Sequence, residues 1–195
     1  MAASTHSARE RLLATATDLF SREGYRAVGT DTIIERSGVA KMTLYRHFST
    51  KNALICAYIE QTIEDFWTSF EQVISEHPGS PRAQLVAIFE MLAAIVADPT
   101  FCGCSCLQAV VEFPQLDHPA HQVAFQHKRD VRTRFRHLAA QAGARQPDLL
   151  ADQLLLLMNG MLMQGRMEGP TDVASPAVQA ARALVDAQLE TQAER

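Results

Sequence analysis

The sequence predicts an all-α protein with a three-helix domain at its N-terminus and a larger helical domain behind it, on three observations. Apolar residues recur at helical spacing along the whole chain. No strand-length run alternates apolar with polar residues. The breaks between apolar-periodic segments fall where glycine and proline cluster.

Each element follows from its own residues. Leu12, Leu13, Ala16, Leu19 and Phe20 form the stripe of a first amphipathic helix, which Gly24 stops. A short helix is expected from about Thr30 to Ser37, with Ile33 and Ile34 on its inner side. Gly38 follows, the residue type a tight turn needs where φ is positive. A second short helix is expected from Lys41 to His47, burying Leu44 and Phe48. Ser49-Thr50 is then suited to cap a long helix over Lys51–Glu76, whose stripe runs from Leu54 and Ile55 to Val73 and Ile74. His77-Pro78-Gly79-Ser80-Pro81 breaks it. Further helices are expected over 82–97, 103–112, 118–142, 148–167 and 175–192. They are separated at Asp98-Pro99, Pro114, residues 143–147 and Gly169-Pro170.

Composition narrows the class. With 47% hydrophobic and 21% charged residues in 195, the chain can bury a core without disulfides. The first twenty residues carry Arg9, Glu10, Arg11 and Asp18 and no uninterrupted apolar run, so no export signal is expected. The most apolar stretch, Leu149 to Met163, is interrupted by Asp152, Gln153 and Asn159 and is too short for a bilayer, so no membrane partner is expected. These features place the chain in the cytoplasm, with its four cysteines reduced. Charge is unevenly spread. Residues 1–52 hold eight Lys/Arg against five Asp/Glu, a net of +3, which leaves −7 for the rest of a chain whose total is −4. A basic module on an acidic body can orient toward phosphates.

Three short helices with a glycine turn before the third fit the helix-turn-helix plan, in which the last helix enters a DNA groove. Within it, Gly38-Val39-Ala40-Lys41-Met42-Thr43-Leu44-Tyr45-Arg46-His47-Phe48-Ser49-Thr50-Lys51 closely resembles the signature of the tetracycline-repressor (TetR) family of regulators. That signature runs Gly-Val, a variable pair, Leu-Tyr-x-His-Phe, then a Lys opening the next helix. The likeness extends back to about Arg9. It implies a DNA-binding domain over 1–52 and an effector-binding and dimerisation domain over 53–195. It also implies base contacts from Lys41, Met42 and Thr43, phosphate contacts from Tyr45 and His47, and Lys51 closing the same surface. The residue chemistry agrees: Lys41 and Arg46 can donate to guanine O6/N7 or to phosphate, and Met42 or the Thr43 methyl can meet a thymine methyl. Two positions depart from the pattern. Gly29 stands where the family often has threonine, so Thr30 is expected to take over the cap and its phosphate contact. Asp31 stands where a basic residue is common and would repel phosphate.

The 148–167 segment is apolar nearly all round and must be covered on several sides. One cover is expected to be a second copy of the chain, with Leu155 and Leu162 meeting Val178, Ala181 and Val185 of the last helix. A twofold dimer then implies a palindromic operator, released when a small apolar effector binds. Phe66, Phe70, Phe89, Leu92, Cys104, Gln108, Phe125, Met158 and Met161 are the expected effector-pocket residues, apolar and soft with one amide. For any single one of them, plain core is the simpler reading.

Cys102-Gly103-Cys104-Ser105-Cys106 leaves three readings open: packing, a thiol switch, or a metal site helped by His118 and His121. Alternate cysteines on a helix diverge by about 200°, which argues against one shared metal. His127 and His137 are expected on helix surfaces. No phosphate-binding glycine loop, metal helix or nucleophile motif is present, so neither an enzyme nor a cofactor is expected.

Overall fold

The computed structural model describes residues 7–169 and 174–189, with side chains of the last helix described from Pro176. All regular structure among the described residues is helical: α1 (Ala8–Glu23), α2 (Thr30–Ser37), α3 (Lys41–His47), α4 (Lys51–Glu76), α5 (Pro81–Ala97), α6 (Ser105–Glu112), α7 (Pro119–Gln141), α8 (Pro147–Glu168) and α9 (Ala174–Leu189). The second to fourth helices coincide with the expected ones, and the fifth to ninth differ by one or two residues at described ends. Residues 190–192 of the expected last helix and Pro170 of the expected break lie outside the described residues. No helix among the described residues is long and apolar enough to cross a membrane.

The chain packs as two compact units. The first comprises the chain up to Glu64 together with Ser105–Phe125. Its α1 opens with a reciprocal cap: the Glu10 amide donates to Ser7 Oγ at 3.2 Å, and the Ser7 amide donates to Glu10 Oε2 at 2.8 Å. Leu12, Ala16, Leu19 and Phe20 are buried from α1, and Ile33 and Leu44 from the two short helices. Fully burying each large side chain is worth about 1.5–3 kcal/mol. Phe20, Tyr25, Tyr58 and Phe113 form an aromatic cluster with centroids 5.5–6.0 Å apart. Between α2 and α3, Gly38 adopts φ 63°, ψ 25°, and its amide donates to the Ile34 carbonyl at 3.1 Å. This is the left-handed turn that an L side chain enters at a cost of about 1–2 kcal/mol. Thr50 Oγ1 accepts from the Ala53 amide at 3.1 Å and so caps α4.

The second unit comprises Asp65–Cys104 and the chain from Gln126 onward. Here α9 packs chiefly on α5 and α8. Phe70, Phe89 and Phe135 form its aromatic core, with Phe135 6.5 Å from Phe70 and stacked 6.1 Å from Phe89. Around it lie Leu85, Ile88, Leu92, Leu150, Leu154, Met158 and Met161, all buried. Ion pairs ring the surface, among them Arg134 to Glu71 at 2.7 Å, Arg82 to Asp186 at 2.6 Å and Arg132 to Asp152 at 2.5 Å. Each exposed pair adds about 0–1 kcal/mol.

Candidate nucleic-acid interface

Helix α3 has seven residues and needs only one for the core. Leu44 is fully buried, and Phe48, one turn on, closes the same side at 4% exposure. Helical spacing from Leu44 turns Met42, Tyr45 and Arg46 away from the core, and Lys41, at the first helical position, is open to water. Met42 is 83% exposed and Tyr45 41%; Lys41, Arg46 and His47 are also exposed, and Thr43 is half-buried. A bulky thioether in water beside two cations and a phenol is hard to explain by packing and suits a groove with methyl groups and acceptors.

Neighbouring elements shape the charge. Asp31, the unexpected acid on α2, pairs with Lys41 Nζ at 3.2 Å, both side chains being mostly exposed. Such a pair is weak enough for a phosphate or a guanine edge to displace. Thr30 does not cap α2. The cap position is Gly29, extended and without a side-chain acceptor, while Thr30 is the first helical residue and half-buried. The expectation that Thr30 replaces the cap is therefore corrected, because its own φ/ψ have already turned helical.

Lys51 is half-buried, and its Nζ donates to the Arg26 carbonyl at 3.4 Å. Burial pushes its pKa down, and the Glu112 carboxylate opposes that. Two arginines that the motif did not single out add positive charge to this unit: Arg9 lies 5.4 Å over the Phe48 ring and Arg26 5.5 Å over Phe113. Their only advance sign was the basic balance of residues 1–52.

The residues expected to line an effector site are divided between the two units. Phe70, Phe89, Leu92, Met158 and Met161 are buried in the second unit, where Phe66 is half-buried and Cys104 likewise. Gln108 belongs to the first unit and commits its amide to the Phe20 carbonyl and the Glu112 carboxylate, at 3.3 and 2.9 Å. Phe125 also belongs to the first unit and is 56% exposed.

His127 is a residue that sequence reasoning missed. It was expected at the surface, yet it is 7% exposed, set edge-on against Phe66 and Trp67 at 5.1 and 5.8 Å. Its Nδ1 is buried with no hydrogen-bond partner. Burial, with help from Lys128, pushes its pKa down to about 4. His137 is exposed, as expected.

Of the expected interface residues, Ala181 and Val185 are fully buried inside the single chain and Leu162 nearly so, while Leu155 and Val178 are half-buried. Ala181 and Val185 are thus core residues, since α9 turns that stripe toward its own α5 and α8. The apolar surface that α8 leaves to water is a different one: Leu149, Leu156, Met163 and Met167, with Leu156 and Met167 more than 70% exposed.

The metal reading of the cysteines loses its donors. Cys102 and Cys104 are half-buried and Cys106 is buried. Cys102 Sγ donates to the Thr100 carbonyl at 3.3 Å. His118 bonds through Nε2 to the Asn52 amide at 3.1 Å and through Nδ1 to the Ala120 amide at 3.3 Å, and His121 Nδ1 donates to the Phe113 carbonyl at 2.9 Å. Among the described residues no group of three or more His, Cys, Asp or Glu is placed to hold a metal ion.

Known proteins place this arrangement. Residues 12–58 match the family model described as bacterial regulatory proteins, tetR family. A solved TetR-family transcriptional regulator from Streptomyces coelicolor is 31% identical, with a TM-score of 0.90 over 94% of this chain and 96% of that one. The HTH-type transcriptional regulator YjdC of Escherichia coli (strain K12) is 25% identical over 85% of this chain and 88% of its own length. The HTH-type transcriptional activator FasR of Mycolicibacterium smegmatis is 32% identical over 87 residues; this match spans 43% of the present chain and only 40% of the activator.

Proposed function

The chain belongs to the TetR family of bacterial transcriptional regulators, which are not enzymes, and from that premise we propose that it is a repressor. In this reading it binds a palindromic operator as a homodimer and leaves it when a small apolar effector binds. Residues 1–52 carry DNA binding, and 53–195 carry effector binding and dimerisation. The chain works in the cytoplasm, at the nucleoid where its operator lies. One observation supports this above the rest: α3 buries Leu44 and Phe48 and turns Lys41, Met42, Tyr45 and Arg46 outward. Lys41, Met42, Thr43 and Arg46 read base edges, while Thr30, Tyr45, His47 and Lys51 hold phosphates.

Pairing of two copies uses the α8 face that a single chain leaves to water. Leu149, Leu156, Met163 and Met167 recur at spacings of seven and four and so share one side of the helix. Twofold symmetry then sets the two α3 helices about 34–36 Å apart, or a multiple of that, along the duplex. The effector acts by favouring a dimer whose spacing no longer fits. Trp67, the single tryptophan, stands beside Phe66, Phe70 and His127 and provides a native fluorophore for effector titration.

Sedimentation of the Leu156→Glu variant against the parent chain tests the pairing, with loss of the dimer as the expected result. Gel-shift titration on the chain's own promoter region tests DNA binding. A monomer that ignores that DNA would overturn both.

A further inference from the structure

We infer that Glu112, the last residue of α6, is a positioning residue for the phosphate contact of Lys51, acting through the Arg26 backbone. The inference rests on the reading that Lys51 meets a phosphate.

The geometry is a bracket within the first unit. α1 ends at Gly24, with φ 93° and ψ 164°, and the Tyr25 and Arg26 amides that follow both donate to one carboxylate. Tyr25 N–H reaches Glu112 Oε1 at 3.0 Å, and Arg26 N–H reaches Oε2 at 2.7 Å. Gln108, one turn back on α6, donates to Oε1 at 2.9 Å and to the Phe20 carbonyl at the end of α1 at 3.3 Å. The other end of α6 holds the same loop, since the buried Tyr25 hydroxyl donates to the Ser105 carbonyl at 2.9 Å. Glycine suits position 24: its φ of 93° strains an L side chain, and a Cβ there would stand 2.9 Å from Glu112 Oε1 and displace that carboxylate.

The loop so held presents the Arg26 carbonyl to Lys51 Nζ. Arg26 is therefore gripped from both sides, its N–H by a carboxylate on α6 and its C=O by the ammonium at the start of α4. Charge-assisted bonds at 2.7–3.0 Å are directional, and a shift of α6 by about 1 Å breaks them. The carboxylate also favours the charged form of Lys51 against its burial. Two consequences follow for DNA. Without Glu112 the ammonium loses both its anchor and its electrostatic support. The loss falls on a phosphate contact, so it weakens operator and random DNA alike and leaves base discrimination by α3 unchanged.

Four proteins test this: the parent chain, Glu112→Gln, Lys51→Met and the double variant. Each is titrated with operator and with random duplex across a range of salt. Loss of one phosphate contact removes about 0.9 from the salt slope and costs roughly fivefold in affinity near 0.15 M salt. Both single variants are expected to show that loss on both duplexes, and the double variant to lose no more than Lys51→Met alone. Amide exchange read by NMR should speed up at Tyr25 and Arg26 in Glu112→Gln. Independent action would instead multiply the two losses to roughly 25-fold, and that result overturns the inference. So does a folded Glu112→Gln variant with the parent salt slope. A Lys51→Met variant that binds as the parent does overturns the phosphate reading of Lys51, and the inference with it. Should Glu112→Gln fail to fold, Glu112→Asp retracts the carboxylate by one methylene while keeping its charge. Its smaller loss should vanish in the Lys51→Met background, and persistence there would overturn the inference.

Discussion

Helices α3 and α8 both leave large apolar side chains in water, and the company those side chains keep differs between them. On α3 the exposed Met42 stands among Lys41, Tyr45 and Arg46, a mixture of cation, phenol and thioether. On α8 the exposed Leu156, Met163 and Met167 follow one another along one side of the helix. The first pattern suits a polar, anionic partner with a few methyl groups. The second suits a copy of itself.

The sharpest way to break that contrast lies within α3. Leu44→Ala should cost about 2–5 kcal/mol of stability, while Met42→Ala, two residues away, should stay within about 0.5 kcal/mol and lose DNA affinity instead. Thermal denaturation beside gel-shift titration reads both. Equal stability losses would mean that Met42 is packed.

The second unit has a pH signature of its own. His127 is kept neutral in the fold because its pKa is pushed down to about 4, chiefly by burial, while the unfolded chain takes up that proton near the ordinary 6.5. The unfolded state therefore binds more protons between these values, and stability falls as pH drops through that window. The full loss is on the order of 3 kcal/mol below pH 4. His127→Leu should flatten this part of the stability curve. An unchanged slope in denaturant midpoints between pH 7 and 4 would assign it to other groups.

Smaller effects belong to the reading helix. Lys41→Ala and Arg46→Ala should each lose about 1–3 kcal/mol of discrimination between operator and random DNA. An equal loss on both duplexes would reduce them to phosphate contacts. Smallest of all, Asp31→Ala frees Lys41 and removes an acid from the DNA-facing side. It should strengthen binding by up to about 1 kcal/mol, the worth of an exposed pair, and weaker binding would give Asp31 a different role.

Much of the fold was legible because local rules decided it. The helical stripe, Gly38 and Thr50 set α2, α3 and α4 at their expected residues. The outward side of α3 was equally legible for Met42, Tyr45 and Arg46, which burial of Leu44 turns away from the core. What escaped reading depended on residues distant in sequence. His127 sits on a helix rich in charged residues, and Phe66 and Trp67, some sixty positions earlier, help make its place apolar. Ala181 and Val185 showed the right periodicity for an interface, but periodicity does not say whether α5 of the same chain or a second chain provides the cover. Nothing local in the sequence marks Glu112, because the Tyr25 and Arg26 amides that converge on it lie more than eighty positions earlier.

The most direct test of α3 as a paired reading helix is selection of bound duplexes from a random pool by the purified protein, repeated with Lys41→Ala and Arg46→Ala. An inverted repeat should be enriched, with half-sites about one helical turn or a multiple of it apart, and each substitution should relax the same position in both halves. Enrichment of no sequence, or of an asymmetric one that both variants select unchanged, would contradict it.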